Sequence, residues 1–306
     1  MNEAVEAAVF WGATVTRPLR LRENEVYEVS IAGRRAALRL HRPGYQSEAS
    51  IRSELWWCEK LGEAGLPIAA ACLTVDGKLT AQLSSGRIAS VVQWVDGVPL
   101  GEAGVLLPGN LAENRENHFR LGQLIARVHQ ATDALTLPDW FVRPRWDRNG
   151  FVGDAPLWGP FWAHPLLSDE DRAVITAARS WLNEKLLSTR SSFGLVHADV
   201  LRENVFVNEG SISLIDFDDS GFGYRWYDLG TVLSQDQYEP DLAGLSAALV
   251  AGYGSLLPVD PAEVEVFTLA RCLASVGWAA TRLSLDSPIQ RSHIARAVRL
   301  SCRLVN

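Results

Sequence analysis

The chain has 306 residues, 47% apolar and 21% charged, with a formal net charge of −7. That balance describes a globular protein able to bury a large core or two lobes, and it excludes a disordered or low-complexity chain. The acidic charge speaks against nucleic acid and anionic membrane as partners, and no apolar run approaches the ~20 residues of a transmembrane helix.

In chain order, residues 3–11 are predicted as a short amphipathic helix. Its leading stretch, MNEAVEAAVFWGA, carries acids where a signal peptide needs bases, so the expected location is the cytoplasm. VYEVSI (26–31) and RAALRL (35–40) read as strands joined by a turn at Ala32-Gly33. Residues 46–65 read as a helix, with Ser47 as N-cap, an apolar stripe of Ile51, Leu55, Cys58 and Leu61, and Gly65 as the stop. CLTVDGKLTAQL is predicted as a second hairpin turning at Asp76-Gly77, and IASVVQWV (88–95) as a buried strand ended by Asp96-Gly97.

Beyond this point the pattern becomes helical, at 118–132, at 169–187 and from Pro261 onward. A β-rich interruption covers 194–217, and 138–165 is rich in Pro, Gly and Trp. The expected organisation is α+β: a small antiparallel-sheet lobe with one helix over 1–94, then a larger, mostly helical lobe over 95–306, joined by a short turn. The cysteines Cys58, Cys72, Cys272 and Cys302 form no C-x-x-C pair and are expected to be buried free thiols.

The chemistry concentrates in the β-rich interruption. FGLVHADVLRENVFVN runs from an apolar segment through a polar loop into an alternating strand, and SISLIDF reads as its partner across a turn at Glu209-Gly210. A hairpin of this kind is expected to bring Asp199, Asn204 and Asp216 to one end. Two carboxylates and an amide oxygen make a hard-oxygen site suited to Mg²⁺, and a nearby Asp can take the proton of an attacking hydroxyl, which together describe phosphoryl transfer. The spacing agrees: His197, Asp199 and Asn204 match the H-x-D loop with its Asn five residues on, and Asp216-Phe217 matches the following metal-binding Asp and its Phe.

On these residues, and most strongly over 195–230, the chain resembles the aminoglycoside phosphotransferase and choline kinase family, the small-molecule branch of the protein-kinase-like fold. The resemblance implies Asp199 as catalytic base, His197 as a brace for the loop, Asn204 and Asp216 as Mg²⁺ ligands, and Asp218 as a possible aid to a second metal or the substrate. It implies that Asp228 caps the loop from the next helix, and that His129 packs against the loop. It also implies ATP as donor. In the small lobe Ala37 and Arg39 stand where kinases place the Ala and Lys of their V-A-I-K strand, so Arg39 takes the phosphate-binding position, with Glu54 as its helix partner and Glu48 as second choice. Gln93 and Val95 lie in the connector that would present backbone groups to adenine. No G-x-G-x-x-G is present; RENEVYEV (22–29) stands in its place.

The absence of an activation segment before Asp228 and of any A-P-E favours a small hydroxyl substrate over a protein. The readings kept beside it are a stress-type protein kinase of the same fold and an inactive nucleotide-binding scaffold. Two features point in opposite directions on the substrate. Ten Asp and Glu between Asp199 and Asp241 suit an amine, whereas Arg143, Arg145 and Arg148 could clamp an anionic group or pair with Asp139, Asp147 and Asp154. Glu203 and Asp219 read as surface.

Overall fold

The computed structural model describes residues 2–21 and 24–305. They divide into two compact units: Met1–Val98 with Ala134–Arg143 and Phe206–Asp218, and Pro99–Asp133 with Pro144–Val205 and Asp219–Asn306.

In the first unit, helix α1 (Glu3–Val9) is capped by the Asn2 side chain. It is followed by strands β1 (Ala13–Leu21), β2 (Glu25–Ile31) and β3 (Arg34–Leu40), helix α2 (Glu48–Glu63), and strands β4 (Ala71–Cys72), β5 (Thr80–Gln82) and β6 (Ile88–Gln93). The sheet order is β1-β2-β3-β6-β4, with β5 also on β6, and every pairing is antiparallel. Ala36, Leu38 and Leu40 alternate into a core shared with Val29, Val91 and Trp11. The period-2 geometry of a strand therefore turns Ala37 and Arg39 to the other face.

Two expectations need correction here. β1 was not anticipated: as an edge strand, exposed over most of its length, it tolerates Pro18 and the two arginines Arg17 and Arg20, and two irregularities break its register with β2. The 72–83 stretch does turn at Asp76-Gly77, but its strands pair with β6 rather than with each other. Helix α2 begins as expected, the Ser47 hydroxyl accepting the Ser50 N–H. Residues 205–208 and 211–214 form the expected hairpin, with Glu209 and Gly210 both at positive φ, as a tight two-residue turn requires.

The second unit holds helices α3 (Leu111–Asp133), α4 (Arg148–Val152), α5 (Asp169–Ser188), α6 (Trp226–Gln235), α7 (Leu242–Gly254), α8 (Pro261–Arg282) and α9 (Pro288–Val305). The C-terminal helical stretch is thus two helices, and α3 starts seven residues before the expected 118. A three-stranded sheet orders 145–146, 221–224 and 193–196, the last pair antiparallel. α3 and α7 cross at backbone distance: a Cβ on Gly252 would stand 1.9 Å from the Phe119 carbonyl oxygen.

Cys58 and Cys272 are buried thiols, whereas Cys72 is half-buried and Cys302 exposed, so the thiol expectation holds for two of the four. Among the described residues no helix is long and apolar enough to cross a membrane.

Candidate active site

In the first unit a buried ionic cluster forms on the face of β3 away from the core. Arg39 donates through Nη1 to Glu54 Oε1 at 3.0 Å and through Nη2 to Asp216 Oδ1 at 2.9 Å. Glu54 lies on α2 and is nearly fully buried; Glu48, the second choice, instead takes a long 3.4 Å contact from Thr80. Asp216 sits at φ +65, a left-handed conformation that costs a non-glycine residue energy and marks a position its surroundings over-determine. Asp218 Oδ2 accepts from Asn24 Nδ2 at 2.9 Å, while its Oδ1 is buried with no hydrogen-bond partner among the described residues. Ala37 pairs with Val92 and Gln93 with Ala36 along the ladder, and Val95 is half-buried just past the end of β6. Of the 22–29 stretch, Arg22 and Glu23 lie outside the described residues and 25–29 belong to β2.

The two sides of the Arg39–Glu54 pair are unequally served. Arg39 is solvated by two carboxylates, and the nearness of Asp216 and Glu54 outweighs burial and raises its pKa. Glu54 has one donor, and its Oε2 is buried without a hydrogen-bond partner among the described residues. Burial, opposed by Arg39, pushes its carboxyl from an ordinary 4.5 up to about 7. Because the folded value is the higher one, the contribution of Glu54 to stability is full below about 4.5 and is lost as pH rises through about 7. The expected loss is on the order of 3 kcal/mol. Thermal melts from pH 4.5 to 8 should show this fall in the wild type and a flatter profile in Glu54→Gln; identical profiles would contradict it.

Arg143 is a structural tie rather than a clamp. It is buried, donates to Ser50 at the start of α2 through Nη1, and donates to the Phe217 and Asp218 carbonyls through Nη2. It thereby fixes the strand end that carries Asp216 to Asp218 against the helix that carries Glu54. In the second unit Arg145 pairs with Asp147 and lies over the Phe193 ring, and Arg148 donates to Asn183. Arg143 is thus taken up inside the fold and Arg148 by Asn183, while the exposed Arg145 makes the Asp147 pairing expected as the alternative to an anion clamp. Asp154 pairs with Arg179.

The second unit carries the loop 197–204. Its anchor is Asp228 in the first turn of α6, whose carboxylate accepts the His197 N–H at 2.9 Å and the Ala198 N–H at 2.7 Å. The same carboxylate meets His129 Nε2 at 3.1 Å, and His129 Nδ1 meets the Tyr253 hydroxyl at 3.0 Å. Burial pushes Asp228 up, but the bonds from His129 and the His197 backbone pull further, so it stays below the ordinary carboxylate range. Burial holds His129 below its ordinary value in spite of Asp228. The pair is thus a carboxylate on a neutral imidazole. With two backbone donors fixed in this way, Ala198 is held at φ +64. His197 Nδ1 accepts the Asp199 N–H at 3.2 Å, so the ring braces the loop from within.

Asp199 is oriented from two sides. Asn204 Nδ2 donates to its Oδ2 and to its backbone carbonyl, both at 2.9 Å. Arg271, from α8, donates to its Oδ1 at 2.7 Å. The Asn204 amide therefore turns its nitrogen to Asp199, which leaves Oδ1 as its acceptor. Arg271 belongs to no motif; its signal in the sequence is a single arginine within the apolar run TLARCLASV, where a surface residue has no place.

The acidic strip is less acidic than its composition. Asp236 is bound by Arg202 and His118, Glu239 by Arg202, and Asp241 by Arg115. Glu203 is half-buried rather than surface, accepting from Ala103 N–H and Gln235, and Asp219 is half-buried with its carbonyl on Trp146 Nε1. These pairings remove most of the case for a cationic substrate made from charge counting. Among the described residues, no cluster of three or more His, Cys, Asp or Glu side chains is arranged to hold a metal ion.

Comparison with known proteins places this arrangement. The model of the APH phosphotransferase enzyme family matches residues 14–267. The solved structure of a microcompartment-associated aminopropanol kinase superposes with a TM-score of 0.83 at 27% identity, covering 99% of this chain and 95% of that one. An amicoumacin kinase solved in complex with AMP-PNP, Ca²⁺ and Ami gives a TM-score of 0.76 at 20% identity over 99% of this chain and 91% of that one. The homoserine kinase of Neisseria meningitidis is 26% identical over 227 residues, 73% of this chain and 68% of that protein. The chain belongs to the APH phosphotransferase family and has the protein-kinase-like fold expected from its loop spacing. It is a phosphotransferase with an alcohol group as acceptor.

Proposed function

We propose that the chain transfers the γ-phosphoryl group of ATP, with Mg²⁺, to a hydroxyl of a small molecule: an amino alcohol, a hydroxy amino acid such as homoserine, an aminoglycoside-like antibiotic or a sugar derivative. The observation that carries the reading is the presentation of Asp199, a carboxylate held at one oxygen by Arg271 and at the other by Asn204, on a loop pinned by Asp228. Asp199 orients the acceptor hydroxyl and takes its proton. The acceptor oxygen bonds to the γ-phosphorus as the bond to the β–γ bridging oxygen breaks, and ADP leaves.

His197 is assigned the bracing of that loop. Arg39, kept in place by Glu54, is assigned to the nucleotide phosphates; its guanidinium is always charged and matches phosphate geometry. Ala37 leaves room on the same strand face, and the backbones of Gln93 and Val95 are assigned to adenine. Residues 1–94 are accordingly assigned to the nucleotide and 95–306 to the catalytic loop and acceptor. Asn204, Asp216 and Asp218 are assigned to the metal. The donor set fits: an amide oxygen and carboxylates are hard ligands, the buried Asp218 Oδ1 has no hydrogen-bond partner among the described residues, and Mg²⁺ needs few protein ligands because phosphate and water complete its shell. When bound, the ion neutralises the phosphate charge that develops during transfer.

Similarity to aminopropanol and homoserine kinases supports small hydroxyl acceptors, and the AMP-PNP complex of the amicoumacin kinase supports an adenine nucleotide donor. Coupled ADP release, screened over amino alcohols, hydroxy amino acids, aminoglycosides and sugars with and without Mg²⁺, tests this. Acceptor-stimulated, Mg²⁺-dependent ADP release is the expected result. No stimulation by any of these compounds, together with phosphate transfer to a protein, would overturn it in favour of a protein kinase.

A further inference from the structure

We infer that Arg271 is a positioning residue for the phosphoryl transfer: it holds Asp199 through Oδ1 in the orientation from which the carboxylate meets the acceptor hydroxyl. This rests on the reading of Asp199 given above.

Arg271 lies in the middle of α8 among Leu269, Ala270, Cys272 and Leu273, all buried. Its own side chain is 6% exposed. A guanidinium in such surroundings carries a heavy desolvation cost, and burial is the largest influence on it, opposing its charge. Asp199 is the foremost group acting the other way. Arg271 pairs with Asp199 at 2.7 Å and has the Ala198 carbonyl at 3.5 Å; Tyr227 and Asp219 also favour its charge, less than Asp199 does. Buried ion pairs contribute little to stability relative to apolar replacements. A helix needing only to pack would place Leu or Met at this position. The pair fixes one carboxylate.

The surroundings fix the arginine in turn. The guanidinium lies over the Trp158 ring, 4.4 Å from its centroid. Trp158 meets Trp146 edge-on at 4.8 Å, and Trp146 stacks on Tyr227 at 5.4 Å. The chain at Trp158 and Gly159 lies so near α8 that a Cβ on Gly277 would stand 2.9 Å from the Trp158 carbonyl oxygen. An aromatic shelf from the 146–158 segment thus supports Arg271 from one side while α8 supplies its backbone. Asn204 holds the other carboxylate oxygen. Removing Arg271 takes away the donor that orients the Oδ1 side of the Asp199 carboxylate. Misplacement of a reacting group by about 1 Å costs on the order of 10²-fold in rate.

The test uses the full chain and measures ADP release from ATP, with water as acceptor and in parallel with aminopropanol and homoserine. Arg271→Met should lower kcat by about 10- to 100-fold while the KM for ATP stays within about twofold. Arg271→Lys, which keeps the charge without the planar fork, should recover part of the loss. In an Asp199→Asn background, Arg271→Met should add no further loss, because its effect runs through that carboxylate. Wild-type kcat in Arg271→Met overturns the inference, as does an equal loss in both backgrounds, which would mark a packing role. Full turnover by Asp199→Asn alone would instead overturn the reading of Asp199, and the single variant shows that separately.

Discussion

Asp199→Asn lowers kcat by about 10²- to 10⁴-fold and leaves the fold intact. The size is that of losing a positioned base in a proton transfer. Asn is the milder substitution because its carbonyl oxygen can still accept from Arg271, the bond found here at 2.7 Å, although its NH₂ then faces the Asn204 amide nitrogen that donates to Asp199. Asp199→Ala confounds two effects. It removes the carboxylate and leaves the Arg271 guanidinium buried without its ion-pair partner, a change that costs about 3–5 kcal/mol for buried pairs. The comparison separates chemistry from folding: both variants should lose rate, and Asn should lower Tm less than Ala because Arg271 keeps an acceptor. Steady-state kinetics with melting curves on the two variants read this directly. Undiminished turnover in Asp199→Asn would remove Asp199 from the chemistry.

The second large effect falls on Asp228, a residue that touches no substrate in this account. Its carboxylate takes two backbone N–H groups and the His129 ring, all buried. Asp228→Ala leaves those donors unsatisfied and releases Ala198 from its left-handed conformation. Hydrogen bonds to a charged group are worth about 1.5–3 kcal/mol each, and stranding buried donors adds to the loss. The expected destabilisation is on the order of 4 kcal/mol, which lowers Tm by roughly 10 °C. Asp228→Asn is no safe substitute, since its NH₂ would face one of the same donors. Both variants should also lose kcat at temperatures where they remain folded, because the loop that presents Asp199 is no longer pinned. A variant that melts lower but turns over at the wild-type rate would show that the anchor serves stability alone.

What the sequence revealed and what it hid follow from distance along the chain. His197, Asp199 and Asn204 lie within one loop, and Asp228 opens the helix soon after, so spacing alone drew attention to them. Helix α2 was legible from Ser47 and its apolar stripe because capping and periodicity are local. Arg271 reaches Asp199 across 72 residues, and Arg202 reaches Asp236 across 34. No periodicity encodes such a pairing. That is why the strip from Asp199 to Asp241 looked like an open acidic surface when much of it is internally neutralised. Arg143 and Arg148 were hidden for the same reason, since their partners, Ser50, Phe217, Asp218 and Asn183, come from other elements, whereas the local pair Arg145–Asp147 was among the pairings read from the sequence. The strand β1 escaped notice because an edge exposed to water needs no alternation of apolar residues.

The central claim is phosphoryl transfer from ATP to a small-molecule hydroxyl with Asp199 as the base, and analysis of the reaction product tests it most directly. Incubation with ATP, Mg²⁺ and each acceptor, followed by phosphorus NMR, should show a phosphate monoester on the acceptor's hydroxyl carbon with the wild type and almost none with Asp199→Asn. A monoester formed equally well by Asp199→Asn, or phosphate found only on protein, would contradict it.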